Sequence, residues 1–216
     1  MRPVNKRGKP SRVSPPPQAG EGGPKGRERG AGKKPGLLLK SPRLSPSHTT
    51  AAVAAIRRIY KLKGRSYKKP LPILVADRAQ AEPLVEPLSP RLKRLIDDYW
   101  PGPLTVVFKT SPLGRMATGG KETVAIRVPD HKGARALLKA FGQPMAVTSA
   151  NPSGKPPAVT GAAAQRMFGG KVDVLWDGGR CPGGVASTVL DASSVQWTLV
   201  REGAVKKKTL LSYLDL

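Results

Sequence analysis

The chain has 216 residues, enough for one domain of ordinary size, with Lys+Arg 38 against Asp+Glu 14 and a formal charge of +24. A charge this positive points towards polyanions such as RNA, nucleotides or acidic lipid, and says nothing about fold. The single cysteine, Cys181, excludes an intrachain disulfide, and with only His48 and His131 as company it argues against a zinc site.

Residues 1–47 form a low-complexity, basic, Pro/Gly-rich stretch that includes Pro15-Pro16-Pro17, Gly22-Gly23 and Lys33-Lys34. Its apolar content is too small to offset the entropy of ordering, so it reads as a disordered tail, with a domain over 48–216. Residues 1–50 hold 12 Lys/Arg and 2 Glu, so +10 of the charge sits there and +14 on the remainder. The basic character therefore survives without the tail. No apolar run is long enough to span a bilayer, and the N-terminus has no signal-peptide core, which with the lone thiol fits a cytoplasmic protein.

The spacing of Val53, Ile56 and Tyr60 predicts a helix over 51–61, with Thr49 or Thr50 as cap, followed by a Lys63-Gly64-Arg65 loop. Residues 71–76 read as a strand. Ser89 followed by Pro90 predicts a capped helix to Tyr99, stopped by Trp100-Pro101-Gly102-Pro103. Strands follow over 104–109 and 123–128, then a helix capped by Asp130 that reaches about Phe141. Residues 145–148 read as a short strand leading into Ser149-Ala150-Asn151-Pro152-Ser153-Gly154. Thr160 caps a helix to about Phe168. Strands over 172–176, 187–190 and 197–201 and a last helical turn over 210–214 complete the pattern. Irregular alternation with adjacent strands predicts an α/β (α+β) fold with a twisted mixed sheet and flanking helices.

Four clusters carry candidate chemistry. Lys61, Lys63, Arg65, Lys68 and Lys69 pair the point charges of Lys with the planar fork of Arg, a combination suited to phosphate oxygens. A solvated basic loop is the plain alternative. The 149–154 segment puts small hydroxyl and amide groups after a strand, where a sheet edge can receive a ligand; an ordinary Asn-Pro turn would look the same. Arg127 sits within an apolar strand and needs an anion, either a substrate carboxylate or an acidic side chain. Gly183-Gly184-Val185-Ala186-Ser187-Thr188 brings hydroxyls after a glycine turn, and Arg201 follows at the end of the next strand.

Taken together, Lys63-Gly64-Arg65 with Lys69-Pro70-Leu71, Trp100 to Thr105, Val124 to Pro129, Ser149 to Gly154, Ser187-Thr188-Val189 and Arg201-Glu202-Gly203 resemble the YrdC family of threonylcarbamoyl-AMP synthases over about residues 52–205. The resemblance implies a YrdC-like fold. It also implies the ATP-dependent joining of L-threonine and bicarbonate to give threonylcarbamoyl-AMP and pyrophosphate, for tRNA modification. Lys63, Arg65, Ser149 and Asn151 match the family's catalytic KxR and SxN signature. Arg65, Lys69, Thr123, Ser149 and Arg201 fall where the family contacts ATP; Arg127, Val147 and Ser187 fall where it holds threonine. No metal site is implied, and magnesium would ride on the phosphates. The implied partners are the substrates, tRNA or double-stranded RNA on a basic face, and other tRNA-modification proteins, for a monomer or weak dimer.

The family's opening Pro-Thr-x-Thr-x-Tyr-Gly-Leu motif does not occur, and Ser45-Pro46-Ser47-His48-Thr49-Thr50 stands in its place. A truncated or frameshifted homologue, an inactive relative and a modified threonine site all fit that departure. The alternative function is a catalytically impaired module that binds tRNA or double-stranded RNA.

Overall fold

The computed structural model describes residues 46–181 and 185–214, with side chains from 52 to 181 and from 185 to 213. The Pro/Gly-rich stretch read as a tail lies, but for its last two residues, outside the described residues.

Helix α1, Pro46–Lys63, is longer at both ends than predicted, and it stops at Gly64. Gly64 adopts φ +57, the left-handed conformation that a residue without Cβ takes most cheaply. Its N–H bonds the Lys61 carbonyl at 3.2 Å, and the Arg65 N–H bonds that of Tyr60 at 3.0 Å, which satisfies two end carbonyls. Lys63 is thus the last helical residue, not part of an extended loop with Arg65.

Six strands form one mixed sheet in the order β4-β1-β3-β2-β5-β6. They are β1 Ile73–Leu74, β2 Leu104–Lys109, β3 Thr123–Arg127, β4 Met145–Ala146, β5 Thr188–Asp191 and β6 Thr198–Arg201. The predicted strand over 71–76 contracts to two residues, since Pro70 and Pro72 bring no N–H to a ladder. Its pairing reaches one residue further through Val75 N–H to the Arg127 carbonyl at 3.1 Å. β1 runs parallel to β3 and antiparallel to β4; β2 runs antiparallel to β3 and parallel to β5.

Alternation separates the two faces of this sheet. Ile73, Val106, Phe108, Val124, Ile126 and Leu190 point to the core face, and each is 8 % exposed or less. Helices α2 Arg78–Ala81, α3 Pro90–Tyr99 and α7 Lys207–Leu214 bring Ala81, Leu92, Leu95, Ile96 and Leu210 to the same core cluster. Burying one such leucine contributes about 1.5–3 kcal/mol. Arg127, Ala125 and Thr123 of β3, Val107 and Lys109 of β2, and Val189 and Asp191 of β5 point to the other face, none of them buried.

Local signals explain most helix starts. Ser89 Oγ accepts from Leu92 N–H at 3.2 Å, and Thr160 Oγ1 from Ala163 N–H at 3.2 Å at the head of α6, Gly161–Phe168. For α5, Lys132–Phe141, the cap is His131 and not Asp130: its Nδ1 accepts from Ala134 N–H at 3.1 Å. Helix α4, Pro112–Thr118, was not foreseen, although Ser111-Pro112 repeats the Ser89-Pro90 start. The short α2 and the 3-10 turn Glu82–Leu84 were also missed.

Residues 172–176 are not a strand. Val174 and Trp176 are 80 % and 60 % exposed, and among the described residues no neighbouring strand takes up their backbone groups. Arg58 ties this segment to α1 instead, through Asp173 and the Lys171 carbonyl.

Candidate active site

The KxR and SxN segments, far apart in the chain, meet at the end of α1. Lys63 is buried, and its Nζ donates to the carbonyls of Ser149 and Asn151 at 2.6 Å each and to Asn151 Oδ1 at 3.1 Å. An ammonium has three donors, and all three are used. Lys63 was expected to touch phosphate as a point charge. The structure turns it inward as the anchor of the 149–154 loop. Burial, and then the nearby Arg65 cation, hold its pKa below the ordinary lysine value.

Asn151 completes the knot. Ser149 Oγ donates to its Oδ1 at 2.6 Å, and its Nδ2 donates to the carbonyls of Pro152 and Lys155. Ser153 N–H closes on the Lys63 carbonyl at 2.8 Å. These bonds tie the loop to the end of α1. Ser149 itself stays exposed at its rim.

Arg65 folds along its own loop: Nε donates to the Lys69 carbonyl at 3.0 Å and one terminal nitrogen to that of Pro70 at 3.1 Å. Three of its five N–H groups are left for another acceptor. Tyr60 Oη donates to the same Lys69 carbonyl at 3.0 Å, and the Tyr60 ring stacks on Tyr67 with centroids 4.4 Å apart. The exposed Lys69 side chain is thus carried on a fixed backbone.

Sheet register arranges the other candidates. Val147 N–H bonds the Pro72 carbonyl at 2.9 Å, and the antiparallel β4 then carries Ser149 towards the end of β3 where Thr123 lies exposed. Arg127 stands at the opposite end of β3, on the same face, roughly 13 Å away at the usual strand rise. Leu74 pairs with both Arg127 and Met145, Thr105 with Val189, and Val189 with Arg201. These residues make one cross-strand row on the open face.

Arg127 is half-buried, and its Nε donates to the Gly102 carbonyl at 2.8 Å. Burial lowers its pKa from the ordinary arginine value, and Asp130 partly offsets this. Ser187 Oγ lies 2.9 Å from Thr105 Oγ1. Arg201 donates to the Ser187 carbonyl from Nη2 at 2.7 Å and Nε at 3.3 Å. Arg201 thus stands with Ser187 and Arg127, away from Arg65 and Lys69. Thr105 was overlooked as a site residue; its alternation with the apolar residues of β2 was the signal that it faces Arg127's side of the sheet. Two cavities, of about 250 and 90 Å³, lie elsewhere, beside Glu82 and Lys93 and beside Asp77 and Arg135. Among the described residues, the candidate strand residues Thr123, Arg127 and Val147 lie on the sheet face opposite the core.

Anion-binding groups at one end of a sheet face and a guanidinium with hydroxyls at the other suit a phosphate-bearing ligand beside a carboxylate. Relatives are consistent with that reading. The family described as telomere recombination, Sua5/YciO/YrdC, matches residues 49–203. A threonylcarbamoyl-AMP synthase of Bacillus subtilis is 39 % identical over 158 residues, covering 72 % of this chain and 46 % of its own length. One from Pyrococcus abyssi is 38 % identical over 152 residues, with 70 % and 45 % covered. The solved structure of P. abyssi Sua5 complexed with L-threonine superposes with a TM-score of 0.69 at 36 % identity, over 74 % of this chain and 48 % of that one. Escherichia coli YciO, at 22 % identity and a TM-score of 0.63, shares the fold over 74 % of this chain and 77 % of its own. The chain spans somewhat less than half the length of the B. subtilis and P. abyssi relatives. By its sequence over residues 49–203 and by its fold, it belongs to the Sua5/YciO/YrdC family.

Proposed function

We propose that the open sheet face binds ATP and L-threonine and, with bicarbonate, forms threonylcarbamoyl-AMP, the product named for the curated relatives. The observation that carries this reading is the Lys63 anchor, which ties the SxN loop to the end of α1, two residues before Arg65. In this reading the threonine N-carboxylate oxygen forms a bond to the α-phosphorus as the bond to pyrophosphate breaks. The chemistry asks for positioning and charge neutralisation more than for proton transfer. Arg65, Lys69, Thr123 and Ser149 take the triphosphate end; Arg127, Ser187 and the backbone of Val147 take the amino acid, and Arg201, which holds Ser187, contacts ATP from that side. Magnesium is held by the phosphate oxygens, where it offsets their charge. The product serves tRNA modification in the cytoplasm, and basic residues beyond the site contact RNA phosphates.

Calorimetry on the full chain tests the proposal, with ATP and L-threonine titrated in bicarbonate and magnesium. ATP binding is expected, weakened about 10- to 100-fold by Arg65→Ala or Ser149→Ala, the scale of a lost charged hydrogen bond. A folded sample that binds neither ligand refutes the assignment. Salt-sensitive RNA binding without ATP binding refutes it in favour of an RNA-binding module.

A further inference from the structure

The hydroxyl of Ser187 lies against that of a residue to which no role has yet been given. Thr105, on β2, is 5 % exposed, and its Oγ1 lies 2.9 Å from Ser187 Oγ. On its other side Ser187 is held by Arg201, through its carbonyl and, at 3.4 Å, through Oγ. A hydroxyl has one proton to give and two lone pairs to receive with. If Ser187 gave its proton to Thr105, it would have none for a ligand. If Thr105 donates to Ser187, the Ser187 proton is free. A carboxylate only accepts, so a bound carboxylate selects the second arrangement.

We propose that Thr105 is a positioning residue for the amino-acid substrate, donating to Ser187 Oγ so that Ser187 can donate to the substrate carboxylate. This rests on the reading of Ser187 and Arg127 as the threonine end of the site. The same short segment also orients the second group. Gly102, three residues before Thr105, accepts Arg127 Nε at 2.8 Å, which leaves both terminal nitrogens for the two oxygens of a carboxylate. The turn itself is fixed by Gly102 N–H to the Val128 carbonyl at 2.9 Å and by Trp100 Nε1 to that of Leu104 at 2.8 Å. One stretch of chain thereby sets the donor directions of Arg127 and Ser187 together.

The test is a double-mutant cycle on the full chain, with dissociation constants for L-threonine and ATP measured separately. Thr105→Val keeps shape and strand preference while removing the hydroxyl. It is expected to weaken threonine about 5- to 10-fold, the loss of one hydrogen bond, and to leave ATP within about twofold. Thr105→Ser should restore threonine binding. Thr105→Val combined with Ser187→Ala should bind threonine no more weakly than Ser187→Ala alone, because Thr105 acts through Ser187. Additive losses, or equal losses of ATP and threonine, overturn the proposal. If Ser187→Ala weakens threonine and Thr105→Val does not, Thr105 alone is refuted. If Ser187→Ala has no effect, or the wild-type chain takes ATP but no threonine, the reading on which the proposal rests fails with it.

Discussion

Replacing Lys63 with methionine separates two roles that sequence cannot distinguish: a phosphate contact and an internal anchor. The substitution keeps an unbranched side chain and removes three charge-assisted donors. The acceptors lose unequally. Asn151 Oδ1 keeps the Ser149 hydroxyl, and the carbonyl of exposed Ser149 can turn to water. The carbonyl of Asn151, in a residue only 8 % exposed, is left without its donor. One orphaned buried acceptor costs about 1–3 kcal/mol, and a hydrogen bond from a charged group contributes about 1.5–3 kcal/mol. Relief of the lysine's desolvation, the first cause of its lowered pKa, returns part of this. The net expectation is a loss of about 2–4 kcal/mol, or roughly 5–15 °C in Tm at 2–4 °C per kcal/mol for a domain of this size. Thermal denaturation by circular dichroism measures it, with ATP affinity followed on the same samples. Destabilisation and weakened ATP binding should appear together. Lost ATP binding at an unchanged Tm would mean that Lys63 reaches phosphate directly, and the anchor argument would be wrong.

Tyr213 donates its phenol to Asp98, which, with some desolvation, pushes its pKa up from 10.0 to about 12. The folded state therefore holds that proton longer than the unfolded state does. The stabilisation is complete below pH 10 and is lost as pH rises through about 12. Ultraviolet titration of the four tyrosines should show one phenolate step near pH 12, and Tyr213→Phe should remove it. Gly102→Ala should destabilise by about 1–3 kcal/mol, because a Cβ there would lie 2.2 Å from the Tyr99 carbonyl oxygen, a backbone atom with little freedom to move. Threonine affinity should fall with it, since Gly102 also holds Arg127; an unchanged Tm in a denaturation scan would sink the steric argument.

Much of the fold was written in short-range signals. β2 begins and ends at the predicted residues, and Ser89 and Thr160 cap the helices assigned to them. The errors come from partners that a linear reading does not contain. Val172, Val174 and Trp176 alternate as a half-buried strand would, but a strand needs a neighbour to take its N–H and C=O groups, and none of the described strands lies there. His131 displaced Asp130 as a cap because an imidazole nitrogen accepts as well as a carboxylate, and the helix began one residue later. For the candidate site the sequence offered a list of residues without their arrangement. Residue types pointed to Lys63 and Arg65 together as phosphate ligands, whereas helix geometry sends the first inward and leaves the second at the rim. The link between Thr105 and Ser187 joins parallel strands β2 and β5, a contact that residue spacing does not reveal.

The division of the sheet into a core face and an open face ties foldability to ligand recognition through a single variable, the count of residues along each strand. Ile126 and Arg127 are neighbours in sequence, yet one is fully buried and the other faces the candidate site. Substitutions at alternate positions can retune the site while the interior stays as it is, so ligand preference can drift in evolution at little thermodynamic cost. A one-residue insertion or deletion within β3 has no such freedom. It would turn a guanidinium into the interior and an isoleucine out of it, so that stability and binding would be lost in the same event.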